Sequence, residues 1–207
     1  MRHTLTIGAA LLALTTTAGA RTAEPATTAA PQFRHVSTAG TGCPAGSATV
    51  AITPDGTEFT VTFAEFAAET GAAATKADRE RTCLISATVA LPADTSVTIG
   101  SIAQRGFASL AAGAWLHRKT TYSWSDGKNL RPLRSTVKGP SDKPWAGTDQ
   151  TTAASLPASP CGSGPWTFTA RIDLSLEAGT SGPQGRSAAG LDSLDGSLGS
   201  ARPCLAR

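Results

Sequence analysis

Residues Trp166 to Leu176 alternate without a break. Trp166, Phe168, Ala170, Ile172, Leu174 and Leu176 fall on one parity, and Thr167, Thr169, Arg171, Asp173 and Ser175 on the other. Successive side chains of a strand point to opposite faces, so this run is a strand with one buried and one wet face. Such a strand needs paired neighbours and a second layer over its apolar side. The pattern recurs along the chain. Ser47 to Thr53 places Ala48, Val50 and Ile52 on one face, and Thr57 to Phe63 does the same with Phe59, Val61 and Phe63. Pro54-Asp55-Gly56 between them is turn chemistry, which makes this pair a hairpin.

Further strands are expected at Cys83 to Leu91, Ser96 to Ile102 and Trp115 to Ser125. In the last, Leu116, Tyr122 and Trp124 share one parity, while His117, Lys119, Thr121 and Ser123 share the other. Ala64 to Lys76 reads equally well as a short helix or a loop, because it has no amphipathic face. Gly179 to Ser200 is rich in Gly, Ser and Ala and reads as a long mobile loop. Trp145 reads as a loop residue. Short strands with turns between them and almost no helix predict an all-β fold: an antiparallel, jelly-roll-like β-sandwich with long loops.

The N-terminus reads as an export signal. Met1-Arg2-His3 is a short positive segment and Leu5 to Leu14 is apolar but too short to span a bilayer. Ala18-Gly19-Ala20 fits the small-residue cleavage pattern. The expected organisation is a signal peptide at 1–20, a disordered Ala/Thr/Pro-rich leader at 21–35 and one β-sandwich domain at 36–207. The expected localisation is secreted and extracellular, with no membrane span after cleavage.

Export gives the cysteines their meaning. Cys43, Cys83, Cys161 and Cys204 form an even set destined for an oxidising compartment, which reads as two disulfides. Their wide spacing, without CxxC, does not suit zinc. Three pairings are open, and the favoured one joins Cys43 to Cys83 and Cys161 to Cys204.

Only 16% of the residues are charged and the formal net charge is +3, so the chain lacks the positive excess of a nucleic-acid binder. Catalysis offers little to hold. Past the signal only His35 and His117 remain, and no G-x-S-x-G elbow occurs. The carboxylates sit mostly at turns. Asp192-Ser193-Leu194-Asp195-Gly196 resembles part of a calcium loop but lacks the EF-hand spacing. No catalytic, metal or cofactor motif emerges. The tryptophans are the better lead, because a flat aromatic stacks on a sugar ring. Trp124 and Trp166 fall on buried parities, which leaves Trp115 and Trp145 as the candidate ligand platform.

Several segments together resemble a family. Gly42-Cys43-Pro44, Pro54-Asp55-Gly56-Thr57 with Phe59-Thr60-Val61-Thr62-Phe63, Arg81-Thr82-Cys83, Arg105-Gly106-Phe107, Tyr122-Ser123-Trp124, Lys138-Gly139-Pro140, Cys161-Gly162 and Leu191 to Gly196 resemble the secreted domain of unknown function 4360, over roughly residues 36–204. The chain departs from that pattern at Ala64, where an acidic residue is usual, and at Ala201-Arg202-Pro203, where an aromatic is usual. The resemblance implies a compact secreted β domain with this four-cysteine pattern, and it transfers no catalytic residue.

The expected function is non-enzymatic surface contact with extracellular glycan, cell wall or protein. The alternatives are a hydrolase with an unrecognised carboxylate pair, or a protease-inhibitor-like defence protein presenting a rigid loop. N-terminal sequencing of the exported protein is expected to begin at Arg21.

Overall fold

The computed structural model describes residues 30–127, 132–150, 158–162 and 164–204. The expected signal peptide and most of the leader lie outside the described residues. The elements are β1 (Gln32–Ala39), β2 (Ala48–Ile52), β3 (Glu58–Phe63), β4 (Ala67–Thr70), α1 (Lys76–Arg79), β5 (Glu80–Ala90), β6 (Thr95–Leu110), β7 (Trp115–Trp124), β8 (Leu133–Lys138), β9 (Ser141–Gln150), β10 (Trp166–Glu177) and β11 (Ser187–Pro203). One sheet runs β1-β5-β10-β7-β8. The other runs β2-β3-β11-β6-β9, with β4 also paired to β11. All pairings between these strands are antiparallel. The chain crosses repeatedly from one sheet to the other, so the architecture is the expected all-β sandwich.

The core lies between the sheets. Ile85, Leu116, Phe168, Ile172, Leu174 and Leu176 enter it from the first sheet, and Phe59, Val61, Ile99, Ile102, Leu191 and Leu194 from the second. The β10 alternation holds along the strand: from Phe168 to Leu176 every even position is buried, while Trp166 at its start is half-buried. The β2–β3 hairpin forms with Val50 opposite Val61. Its Asp55 carboxylate accepts hydrogen bonds from the Thr53 hydroxyl and from the Thr57 backbone and hydroxyl. These bonds, Thr53's first, hold the Asp55 carboxyl below its ordinary range.

The structure corrects four expectations. First, the domain begins before residue 36. Phe33 is buried and meets Phe59 edge-to-face at 4.8 Å. A register shift between Phe33 and His35 breaks the alternation, so β1 does not show a period of two. Second, Ala64 to Lys76 is neither one helix nor one loop. It holds β4 and ends where the four-residue α1 begins at Lys76, that helix being capped by Thr75 and Asp78 in a reciprocal box.

Third, most of Gly179 to Ser200 is β11, the central strand of its sheet, lying between β3 and β6. Its small residues are there because neighbours fill the space. A Cβ on Gly196 would lie 2.3 Å from the Phe59 ring. Fourth, Trp145 sits on β9, opposite Gly106 of β6.

The disulfides pair as favoured. Cys43–Cys83 ties the β1–β2 connection to β5, and Cys161–Cys204 ties the approach to β10 to the end of β11. They span 40 and 43 residues of sequence. In the chain-entropy view a loop of that size is worth about 4 kcal/mol.

Chemical denaturation should separate core from surface. Leu174→Ala is expected to cost about 2–5 kcal/mol, because the buried site cannot collapse fully. Leu84→Ala, on a side chain 39% exposed, is expected to cost less than about 1 kcal/mol.

Candidate functional site

The inward parity of β7 is not uniformly apolar. Between Leu116 and Tyr122 it carries Arg118 and Thr120, both buried. Across the interior, β6 contributes the fully buried Gln104 and β9 contributes Asp149. These side chains meet at one edge of the sandwich, beside the terminal strands β8 and β9. The Tyr122 hydroxyl donates to Asp149 Oδ2 at 2.6 Å, and Gln104 Nε2 donates to the same oxygen at 3.0 Å. The Gln104 amide also lies 3.4 Å from Thr120 Oγ1 and from the Tyr122 oxygen. A carboxylate only accepts, so Asp149 fixes the amide with its nitrogen inward. Gln104 Oε1 is left without a partner.

Arg118 completes the cluster. Its Nη2 is 3.8 Å from Asp149 Oδ1, its Nε donates to Ser135 Oγ at 2.9 Å, and its guanidinium lies 5.1 Å from the Trp145 ring centroid. Its Nη1 is buried and has no hydrogen-bond partner. The Trp145 indole N–H donates to the Phe107 carbonyl at 3.0 Å. The indole fits there because its cross-strand neighbour is glycine: a Cβ on Gly106 would lie 2.8 Å from the ring and 1.9 Å from the Gly190 carbonyl oxygen.

The sheets part at this edge. Leu133 and Ser135 of β8 pair with Thr120 and Arg118, so they share the inward parity, yet both are exposed. Leu116, Arg118, Ser135, Val137 and Trp145 line a slot whose cavity is about 10 Å³. Energetics argue that this set is not there for stability. A buried ion pair of this kind is often no better than an apolar replacement, because each ion loses several kcal/mol of hydration. Departures from the core pattern of this kind concentrate at functional or strained places in proteins, which makes this edge the candidate.

Trp115 is elsewhere. It lies on the outer face of the first sheet, parallel to the His117 ring with centroids 6.3 Å apart, and the Lys138 ammonium is 5.0 Å from its centroid. The structure therefore does not bring Trp115 and Trp145 into one platform. His117 reaches Glu177 at 3.6 Å and Thr136 at 3.3 Å, both across the solvated sheet face. Asp195 pairs with Arg105 and accepts from Thr60, so the stretch that resembles a calcium loop is strand β11. Among the described residues no group of His, Cys, Asp and Glu is arranged to hold a metal, and no helix is long and apolar enough to cross a membrane.

A cleft of about 830 Å³ elsewhere on the molecule is lined by Glu69 and Asp78 among others. Asp78 accepts from the Thr75 hydroxyl and backbone N–H and lies 3.5 Å from Arg81. Those interactions, the Thr75 hydroxyl first, hold its carboxyl below the ordinary range. A glycosidic general acid needs the opposite shift.

The sequence reading missed Arg118, Thr120, Gln104 and Asp149. For the first two the signal was present: a charged residue and a threonine share a parity with Leu116, Tyr122 and Trp124. Asp149 and Gln104 carried no local signal, because β9 is irregular in sequence and β6 changes parity after Ile99.

Fold and site together define a disulfide-stapled antiparallel β-sandwich with a polar cluster at one open edge. The chain belongs to the family Domain of unknown function (DUF4360), whose model matches residues 29–202. A curated relative, an uncharacterized secreted protein of Arthroderma benhamiae (strain ATCC MYA-4681 / CBS 112371), is 28% identical over 123 residues, covering 59% of this chain and 50% of that protein. The match thus spans about half the length of that relative. Among solved structures, TmCBM61 in complex with β-1,4-galactotriose is similar at 13% identity and a TM-score of 0.32, covering 81% of this chain and 90% of that one. The enzymatically active domain of bacteriophage CBA120 tailspike protein 4 is also 13% identical, with a TM-score of 0.26 over 77% of this chain and 19% of that one.

The buried phenol gives a clean test of the cluster. Burial first, and then the Asp149 charge, raise the Tyr122 pKa far above its ordinary value near 10. The native state therefore keeps the proton, and its stabilisation is fully present below pH 10. Above that pH the unfolded phenol ionises and stability falls by about 1.4 kcal/mol per pH unit from this group. Tyr122 is the chain's only tyrosine. Tyrosinate absorbance near 295 nm is expected to appear only as the protein unfolds, and Tyr122→Phe should flatten that part of the alkaline stability curve.

Proposed function

We propose that this protein is a non-enzymatic extracellular binding module that takes glycan at the open edge between β8 and β9. The observation that carries this reading is the buried Arg118–Asp149 pair beside Trp145, reached from an edge where Leu133 and Ser135 face solvent. An indole supplies a flat apolar face, and the neighbouring side chains supply directional donors and acceptors. That combination matches a sugar, whose rings carry C–H faces and hydroxyl rims. The fold holds these groups on strands, which positions them better than loops would.

The extracellular setting is supported by the disulfides and the secreted relative. Glycan or cell wall is the proposed partner, and no cofactor is invoked. Trp115, on the outer face, is assigned no part in this edge.

Retention on insoluble cell-wall polysaccharide and on a glycan array tests the reading. Wild type is expected to be retained. Trp145→Ala and Ser135→Trp, which removes the aromatic or plugs the mouth, are each expected to weaken retention at least tenfold, while Trp115→Ala leaves it unchanged. Absence of retention by wild type, or retention indifferent to both edge variants, would sink the proposal. Circular dichroism and thermal unfolding of both variants keep the test clean, because Trp145 packs beside Arg118 and Ser135 accepts a hydrogen bond from it.

A further inference from the structure

Independently of the edge site, we infer that the outer face of β7 and β8 docks an acidic polysaccharide. Three observations converge. The first is a separation of charge across the sheet. β7 and β8 pair so that Lys119 faces Arg134, His117 faces Thr136 and Trp115 faces Lys138, all on the outer side. The permanently charged side chains of this strip, Lys119, Arg134 and Lys138, are all cations. The nearby carboxylates, Asp173 and Glu177, stand on β10. Arg134 and Lys138 are exposed, and among the described residues neither is paired with a carboxylate. Asp173 lies 3.6 Å from Lys119 and 3.0 Å from Arg171, so one carboxylate is shared by two cations. β8 is the terminal strand of its sheet, which puts this positive strip at the rim. Such a strip is complementary to an anion.

The second observation is shape. His117, Lys119, Arg134 and Thr136 line a hollow of about 310 Å³, with Asp173 and Ser175 on its β10 side. That is at the lower end of ligand pockets, which begin at about 300 Å³, and suits one sugar-sized unit. Lys138 lies four residues beyond Arg134, about 13 Å along an extended strand. One small anion reaches one of these two cations, whereas a chain with repeated charges engages both and gains by the linkage.

The third is what stands beside the cations. Thr136, His117 and Ser175 offer donors and acceptors to sugar hydroxyls. The Trp115 ring is already engaged: the Lys138 ammonium is 5.0 Å from its centroid and the His117 ring lies parallel to it. The strip therefore lacks the free aromatic platform on which the bases of a single strand stack. The disulfides and the secreted relative point to an extracellular setting, where polysaccharide is the fitting polyanion.

Biolayer interferometry of the full exported chain tests the strip. The immobilised probes are polygalacturonate and dextran sulfate, with fully methyl-esterified polygalacturonate as the uncharged counterpart and oligo(dT) as the nucleic acid. At least one acidic polysaccharide is expected to bind at least tenfold more tightly than the methyl ester and oligo(dT). Raising salt from about 50 mM to about 200 mM is expected to weaken that binding about fivefold or more, because the cations release the polymer's counterions. Neither readout needs a variant protein. Arg134→Glu combined with Lys138→Glu is expected to lose at least tenfold. Arg79→Glu combined with Arg202→Glu makes the same change in net charge on α1 and at the end of β11, and is expected to stay within twofold of wild type. Binding of neither acidic polysaccharide, equal binding of the methyl ester or of oligo(dT), or indifference to the β8 double variant would overturn the inference. Retention through the edge is read in about 1 M salt, where charges are screened beyond about 3 Å. Its failure there removes the edge reading and leaves the strip's low-salt binding as a separate result.

Discussion

The two sheets are held together by burial of alternate side chains, and that one rule governs nearly every strand. The even positions of β10 and β7 and the odd positions of β3 and β5 turn inward. Each large side chain placed there is worth about 1.5–3 kcal/mol relative to exposure. The wet faces carry Thr, Ser and paired charges, among them Asp173, which accepts from Thr82 and lies within 4 Å of Lys119 and Arg171. The disulfides fasten what the sheets leave loose: the first connection and the approach to β10. Gly196 on β11 serves the same burial, because it leaves space for the Phe59 ring.

Against that rule the edge cluster stands out. Arg118, Thr120 and Gln104 occupy positions where apolar side chains would cost less. Their mutual hydrogen bonds recover part of the lost hydration, but two buried polar atoms, Gln104 Oε1 and Arg118 Nη1, remain without partners. The cluster lies at the edge where β8 turns inward-parity side chains to solvent. Polarity inside and access from outside therefore coincide at one place, which makes the cluster the candidate site.

Legibility differed by element. The β2–β3 hairpin and β10 were readable because alternation and turn residues agree there. Two disulfides were readable from an even set of widely spaced cysteines, with the pairing among three alternatives favoured and then found. β1 was not, since a bulge separates Phe33 from His35. β11 was misread because Gly, Ser and Ala look the same in a mobile loop and in a strand packed beneath aromatic rings. Trp145 was placed in a loop, because Pro144 and Gly147 beside it are turn-like residues that an edge strand also tolerates.

Sequence alone determined the class of the molecule: an alternating, cysteine-stapled β chain. Those properties are local, since parity, turn chemistry and cysteine count are visible within a few residues. The site was decided only by the tertiary structure. Gln104, Arg118 and Asp149 lie on three strands, and Asp149 is 31 residues from Arg118 and 45 from Gln104 along the chain. Only sheet pairing and the closure of one sheet over the other bring them together. The same closure separates Trp115 from Trp145, because one side chain points outward and the other inward.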